Sequence, residues 1–90
     1  MPFEDIISND NSIYRIFSSN TESADLVWHR DKFDRWVTIL EANGWQLQID
    51  NQLPIVMEIA KTYFIPGKTF HRIIKGTGML SIQIKENKNI

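Results

Sequence analysis

The sequence predicts an all-β protein, a small antiparallel barrel or sandwich. Apolar and polar residues alternate with a period of two along most of the chain, as they do on strands with one buried face. Short alternating segments are separated by Gly, Pro and Asn turns, and none has the period of a long helix. Together these observations favour several short strands at close spacing over a helical domain.

Length and composition predict one domain, residues 1–90, with an N-terminal strand segment at 1–25 and a barrel core at 26–86. Hydrophobic residues make up 42% of the chain and charged residues 23%, which is typical of an ordinary globular protein. The net charge of −1 gives no overall field that would favour nucleic acid or an anionic membrane. Because the chain has no cysteine, disulfides and thiolate metal ligands are excluded.

The N-terminal residues have no basic region followed by an apolar one, and no run of eighteen apolar residues occurs. We therefore expect a cytoplasmic protein that binds neither a membrane nor nucleic acid.

Strands are predicted in order along the N-terminal half. The predicted segments are SIYRIF (12–17), LVWHRD (26–31) and RWVTILE (35–41). The first presents Ile13, Arg15 and Phe17 on one face. The third presents Val37 and Ile39 on the face opposite Trp36, so one face of each strand is expected to be buried.

Asn43-Gly44 predicts a two-residue hairpin turn, because both residue types tolerate the positive φ of such turns. After it, Trp45, Leu47 and Ile49 alternate with polar residues, which is the clearest pattern of a half-buried strand in the chain. A turn at 50–52 then leads into further strands. These are predicted in the segments LPIVMEI (53–59), TYFI (62–65), HRIIK (71–75) and MLSIQIK (79–85).

From His29 to Glu86 the chain resembles the cupin superfamily, whose members are small double-stranded β-helix barrels of the jelly-roll type. The resemblance rests on WHRD, on the VTILEANGWQLQID hairpin and on YFIPGKTFHRIIKGTG. In the last segment Pro66 precedes His71 with the spacing of the second cupin motif, and Gly44 stands where the family has its turn glycine. The fold it implies is an antiparallel cupin barrel.

Metal-binding cupins take two histidines and a glutamate from the first motif and one histidine from the second. Carried over by position, His29 and His71 match histidines, Asp31 takes the middle place, and Arg35 stands where the glutamate is expected. The resemblance thus implies a divalent metal, Fe, Mn, Ni or Zn, held by His29, Asp31 and His71.

Two interpretations of this cluster remain open. In the first, the three ligands converge on a metal and Arg35 anchors a small anionic ligand, with Trp45 as a second ligand contact. In the second, Asp31 is neutralised by Arg35 or Arg30 in a structural ion pair without a metal. A cation at a ligand position favours the second interpretation.

The aromatic residues are expected to belong mostly to the core, with Trp45 and Phe64 inside. Trp28 and Trp36 are predicted to lie under the N-terminal strand or in a subunit interface. A homodimer is expected, because a short barrel with an apolar N-terminal strand leaves edges that a second copy can cover.

Three classes of function fit these observations. The chain could be a metal-dependent enzyme or a binder of small anions in the barrel mouth, with the reaction unspecified. It could be a metal-free ligand-binding module. It could also be a structural or assembly subunit, such as a viral or accessory protein, that uses the barrel as a scaffold.

Overall fold

The computed structural model describes residues 2–88, and this part of the chain is built from short strands joined by turns. The strands are β1 (Glu4–Ile7), β2 (Ile13–Phe17), β3 (Asp34–Glu41), β4 (Gln46–Ile49), β5 (Ile55–Val56), β6 (Thr62–Ile65), β7 (His71–Ile74) and β8 (Leu80–Asn87). A single 3₁₀ turn at Ser23–Asp25 is the only helical element of the described residues.

Two sheets form the barrel, and every strand pair in them is antiparallel. One sheet has the order β1-β2-β8-β3-β6, and the other has the order β5-β4-β7. Since β3 and β8 lie at the middle of the larger sheet, alternate residues of both point into the space between the sheets. This arrangement confirms the predicted all-β antiparallel barrel.

The core is formed by the inward faces of β3, β4 and β8. Leu80, Ile82 and Ile84 follow one another at every second position of β8 and are almost fully buried. Val37 pairs with Ile84 and Ile39 with Ile82 across the two strands, so their side chains share one face. The face that the period-two pattern predicted to be buried is therefore the face that packs.

The prediction of a strand at 26–31 is wrong. Only His29 in this segment makes a ladder contact, an isolated bridge to His71, and the residues around it form a loop. Residues 26–31 therefore form a loop beside the barrel, although LVWHRD alternates as a strand does.

The turn at Asn43-Gly44 exists, but it does not close a hairpin. The strand before it, β3, lies in the five-stranded sheet, and the strand after it, β4, lies in the other sheet. The chain changes sheet at this turn, because β3 pairs with β6 and β8 and β4 pairs with β5 and β7.

The predictions for the aromatic residues are partly corrected. Trp45 is fully buried as expected, but Phe64 is 46% exposed, and its ring packs against Trp36 on the outer face. Trp36 and Trp28 are each 40% exposed, so neither is covered by the N-terminal strand. Trp28 instead carries the Arg72 guanidinium over its ring at 4.8 Å.

Within residues 2–88, no helix has the length and the apolar composition that a bilayer crossing requires.

Candidate metal centre

The two histidines of the chain face each other directly. The backbone N–H of His29 donates to the carbonyl of His71 at 3.0 Å, and the N–H of His71 donates to the carbonyl of His29 at 2.8 Å. In an antiparallel bridge, two directly opposed residues place their side chains on the same face. The imidazole rings consequently lie 4.3 Å apart between centroids, although the residues are far apart in sequence.

Both imidazoles are oriented by the backbone. Nδ1 of His29 donates to the carbonyl of Val27 at 3.0 Å, and Nδ1 of His71 donates to the carbonyl of Thr69 at 3.0 Å. A carbonyl oxygen only accepts, so the proton of each neutral ring is held on Nδ1. Each Nε2 is left with a lone pair, which is the form in which imidazole binds a metal.

The loop segment that carries Asp31 is held by backbone contacts with the turn at Gly67 and Lys68. The backbone N–H of Lys68 donates to the carbonyl of Asp31 at 2.6 Å, and the N–H of Gly67 donates to Oδ1 of Asp34 at 2.7 Å. A Cβ at Gly67 would lie 2.9 Å from the carbonyl oxygen of Lys32, so the two loops approach too closely for a side chain there. The turn at Pro66 and Gly67 thus holds the segment that carries Asp31.

The Asp31 carboxylate lies between a cation and an imidazole. Its Oδ2 is 3.2 Å from Nη1 of Arg35 and 3.2 Å from Nε2 of His71. Both contacts are within ion-pair distance, yet neither has the angles of a hydrogen bond, and this buried oxygen has no hydrogen-bond partner in the described residues. With the His71 proton on Nδ1, the carboxylate and Nε2 are two acceptors that face each other.

The electrostatics of the cluster keep Asp31 ionised. Burial alone would raise the pKa of Asp31, but the His71 side chain, when it carries a proton on Nε2, and the positive charge of Arg35 outweigh it, so the pKa lies below its ordinary value. An ionised carboxylate beside two Nε2 lone pairs is a site of negative potential. A cation there, either a proton on an imidazole or a metal ion, would remove the repulsion between the acceptors.

Arg35 is held in place by Glu86. The two residues are directly opposite on β3 and β8, and Nε of Arg35 lies 2.9 Å from Oε2 of Glu86. Both side chains are largely buried, with exposed fractions of 14% and 16%. Glu86 contacts Nε of Arg35, whereas Asp31 contacts Nη1. The positive charge of Arg35 is therefore balanced by Glu86 as well as by Asp31.

The cluster opens into a cavity of about 340 Å³ inside the barrel. His29, Asp31, Arg35 and His71 line one part of it. The remaining wall is mainly apolar and includes Phe17, Val37, Leu47, Met57, Ile65 and Ile84. The volume is at the small end of the roughly 300–1,000 Å³ of typical ligand sites.

The structure brings together four of the five predicted site residues, His29, Asp31, Arg35 and His71. It gives Trp45 a different position. The Trp45 side chain is fully buried, its indole Nε1 donates to the carbonyl of Thr77 at 3.3 Å, and it is not among the residues that line the cavity. Trp45 packs the core rather than the cavity wall, so the structure does not support its prediction as a ligand contact.

Two charged residues near the cavity were not anticipated. Glu86 continues the inward alternation of Leu80, Ile82 and Ile84, so its place on the buried face could have been predicted from that pattern. Arg15 lines the cavity from β2 and is paired with Asp5 of β1 at 2.8 Å. Arg15 shares its face with Ile13 and Phe17, and a charge on an apolar face is the signal that was available.

The donor set fits a divalent metal. One ligand atom from each of His29, Asp31 and His71 lies within 4.8 Å of the others. Two neutral imidazoles and one carboxylate suit Fe(II), Zn, Mn or Ni. The unpartnered Oδ2 of Asp31 and the two Nε2 lone pairs are the atoms that a metal would satisfy.

No protein-family model and no curated protein sequence matches this chain. Solved structures are similar to it in fold. The DMSP lyase DddQ from Ruegeria pomeroyi DSS-3 has a TM-score of 0.75 at 9% identity, over 98% of this chain and 47% of that protein. This chain thus spans about half the length of that lyase.

A cupin-2 domain containing protein from Shewanella frigidimarina NCIMB 400 has a TM-score of 0.65 at 18% identity, over 94% of this chain and 79% of that protein. The structure of FeII HppE has a TM-score of 0.69 at 10% identity, over 94% of this chain and 48% of that protein. These similarities and the two-sheet topology establish that the chain has a cupin-like fold, a small antiparallel double-stranded β-helix barrel.

Proposed function

We propose that this protein binds a divalent metal ion through His29, Asp31 and His71, and binds a small anionic molecule beside it. The observation that carries the proposal is the Oδ2 atom of Asp31, which is buried, has no hydrogen bond, and lies 3.2 Å from the Nε2 of His71. A cluster that served only as an ion pair would be expected to hydrogen-bond this oxygen.

The ligand types support Fe(II) first, with Zn, Mn and Ni as further candidates. Similarity in fold to FeII HppE supports iron, because that structure is described as the Fe(II) form of the protein. When bound in a three-ligand site, such a metal polarises a coordinated group and leaves positions open for a small molecule. The enzymatic reaction, if the site has one, would depend on what occupies these positions.

The residues around the proposed metal would have different roles. The carbonyls of Val27 and Thr69 hold the two Nδ1 protons, which leaves both Nε2 atoms available to a metal. Arg35 stands beside the site and would attract an anionic group, while Glu86 holds its guanidinium in place. The apolar walls would exclude water from the bound molecule.

A metal-free barrel is the second candidate, and one observation favours it. Arg35 lies within ion-pair distance of Asp31, so the carboxylate already has one counter-charge. In this alternative the cavity binds a neutral or anionic molecule without a metal, and the histidines are structural. A protonated His71 would then neutralise the acceptor contact.

The test is a calorimetric titration of tag-free, chelator-treated protein with Fe(II) under anaerobic conditions, and with Zn, Mn and Ni. We expect one equivalent of at least one metal to bind, and His29→Ala, Asp31→Asn and His71→Ala each to weaken binding at least a hundredfold. Asp50→Asn is the matched control, because Asp50 is exposed and lies outside the cluster. Equal binding by Asp31→Asn and the wild type, or no binding of any metal, would contradict the proposal.

We also propose that the protein forms a homodimer. Support comes from β1, which is an edge strand of the larger sheet and exposes Ile6 by 61% and Ile7 by 70%. Sedimentation velocity should give a dimer whose dissociation constant rises in an Ile6→Lys, Ile7→Lys variant. A monomer at high micromolar concentration would contradict this part of the proposal.

A further inference from the structure

Resting on the proposed metal site, we infer that the ligand of the cavity is a small amphipathic monoanion, a molecule with one carboxylate-like head and a hydrocarbon body. The inference goes beyond the presence of an anion site, because it specifies the charge of the head and the character of the rest of the molecule. Three features of the cavity carry it: the distribution of its polar groups, its charge count and its size.

Four of the six ionisable side chains that line the cavity lie together, and the other two are Arg15 and Asp25. His29 contacts His71, His71 contacts Asp31, and Asp31 contacts Arg35, so the four side chains form one continuous cluster. Most of the remaining wall consists of aliphatic and aromatic side chains from both sheets. A ligand that fills the cavity would therefore place a polar head at the cluster and bury an apolar body against the other wall.

Before a metal is counted, the buried charges around the cavity sum to one negative charge. Arg15 is neutralised by Asp5 through two contacts, Nε to Oδ1 at 2.8 Å and Nη2 to Oδ2 at 2.9 Å, and its guanidinium lies 3.8 Å from the Phe3 ring centroid. Arg35 is neutralised by Glu86. With neutral imidazoles, Arg35 faces two carboxylates, Glu86 and Asp31, so this buried group carries one net negative charge. Lys88 lies 3.8 Å from Glu86 but is exposed, so water and salt screen its charge.

A divalent metal on Asp31 would convert this balance to one positive charge. Asp25 also lines the cavity, but it is exposed at the rim, where water and salt screen its charge. A single negative charge on the ligand would thus neutralise the interior, whereas a dianion would leave an excess charge in a largely apolar space. A neutral head would leave the metal charge uncompensated.

The volume of the cavity limits the length of the ligand's hydrocarbon chain. A volume of about 340 Å³ is small for a ligand site, so we expect a compact molecule rather than a nucleotide or an oligosaccharide. Each methylene that moves from water to the apolar wall should tighten binding by up to about fourfold, until the cavity is full. Entry is expected beside Val27, which lines the cavity and is 59% exposed.

The experiment is a titration of the zinc-loaded protein with acetate, butanoate, hexanoate and octanoate, monitored by calorimetry and by ligand-observed NMR. Hexanamide and hexanedioate serve as neutral and dianionic probes of the same chain length. We expect affinity to rise from acetate to hexanoate, and hexanoate to bind at least tenfold more tightly than hexanamide or hexanedioate. Removal of zinc should weaken hexanoate binding at least tenfold.

Substitutions at the cavity test whether hexanoate binds there. Arg35→Met should weaken hexanoate binding at least tenfold, whereas Arg30→Met, an exposed arginine outside the cavity lining, should leave it unchanged. Val27→Trp should block hexanoate while zinc still binds, because only the backbone carbonyl of Val27 orients His29. Hexanoate binding that survives Val27→Trp and Arg35→Met would overturn the assignment to this cavity.

The remaining outcomes separate the two proposals. Equal affinity for hexanoate and hexanamide, tighter binding of hexanedioate, or no dependence on chain length would overturn the amphipathic monoanion while the metal site stands. Failure to bind zinc or any of the other metals would instead overturn the metal site, and with it the charge count on which this inference depends.

Discussion

The interior of this barrel has two regions that share the same strands. Along β8 the inward residues change from Leu80, which is fully buried in apolar surroundings, to Glu86, which is paired with Arg35. Along β3 the inward residues change in the same sense, from Ile39 to Arg35. One region is thus packed with hydrocarbon, and the other holds charges, imidazoles and a cavity.

A chain of 90 residues can support a polar site because its packing and its site occupy different parts of the interior. Trp45, Ile39 and Leu80 are each 0% exposed and none lines the cavity, so close packing in their region supplies stability without involvement of the site. In the other region, buried charges and open space cost stability and are retained where they serve a function. Substitutions in the packed region should therefore mainly lower stability, whereas the effects of substitutions around the cavity should depend on metal or ligand.

The largest effect on stability is expected from Trp45→Ala in the packed region. Loss of a fully buried indole should lower the free energy of unfolding by about 3 to 5 kcal/mol, because a cavity would replace its contacts. Urea denaturation followed by circular dichroism measures this loss. A loss below about 1 kcal/mol would contradict the assignment of Trp45 to the packed region.

Arg35→Glu should show the second-largest effect and should depend on metal. In the absence of metal it would place a third carboxylate beside Asp31 and Glu86, so we expect a loss of about 3 kcal/mol. A saturating divalent metal should restore most of the loss, because its charge would offset the repulsion among the three carboxylates. Arg35→Met, which adds no carboxylate, is the control, and equal rescue of both variants by metal would be the contrary result.

Asp31→Asn should affect stability much less than it affects metal binding. Its Oδ2 makes no hydrogen bond and Arg35 keeps Glu86, so we expect a loss of only about 1 kcal/mol at pH 7 without metal. Because the pKa of Asp31 is lowered by folding, its stabilising contribution is present above the ordinary aspartate pKa and lost as pH falls through the lowered value. Denaturation curves of both proteins should converge in acid; a difference that grows in acid would be inconsistent with this sign.

The smallest effect is expected at the turn between β1 and β2, outside both regions. Oδ1 of Asp10 accepts hydrogen bonds from Oγ of Ser8 and from the backbone N–H of Ser12, and the first of these is the main reason that its pKa is lowered to about 2. Asp10→Asn should lower the melting temperature slightly at pH 7. The difference should shrink as pH falls below about 4 and disappear below about 2, where the wild-type carboxylate is mostly protonated. A difference that stays constant as pH falls through about 2 would argue against this cause.

Much of the fold could be predicted from the sequence because its strands alternate. Val37 and Ile39 in β3, and the apolar positions of β8, are separated by polar or exposed residues, and that period determines which face is buried. Strand β1 was missed because all four of its residues are exposed, which leaves no alternation to detect. Phe64 was assigned to the wrong face because TYFI has apolar residues on both faces of an edge strand.

The four residues of the central cluster were predictable from the sequence, but their geometry was not. A straight strand would separate Asp31 and Arg35 by about 13 Å, whereas the bend at residues 32–33 brings their side chains to 3.2 Å. That bend depends on the turn at Gly67, more than thirty residues later, and local patterns contain no information about such contacts. The pairing of Arg35 with Glu86 likewise depends on the register of two strands that are distant in sequence.

The most direct test of the central claim is a long-range ¹H–¹⁵N NMR spectrum of the two imidazoles, recorded with and without one equivalent of zinc. We predict that the Nε2 resonances of both His29 and His71 move to the shift of metal-bound nitrogen while both Nδ1 atoms keep their protons. Zinc that shifts only one ring, or that binds through Nδ1, would contradict this metal site.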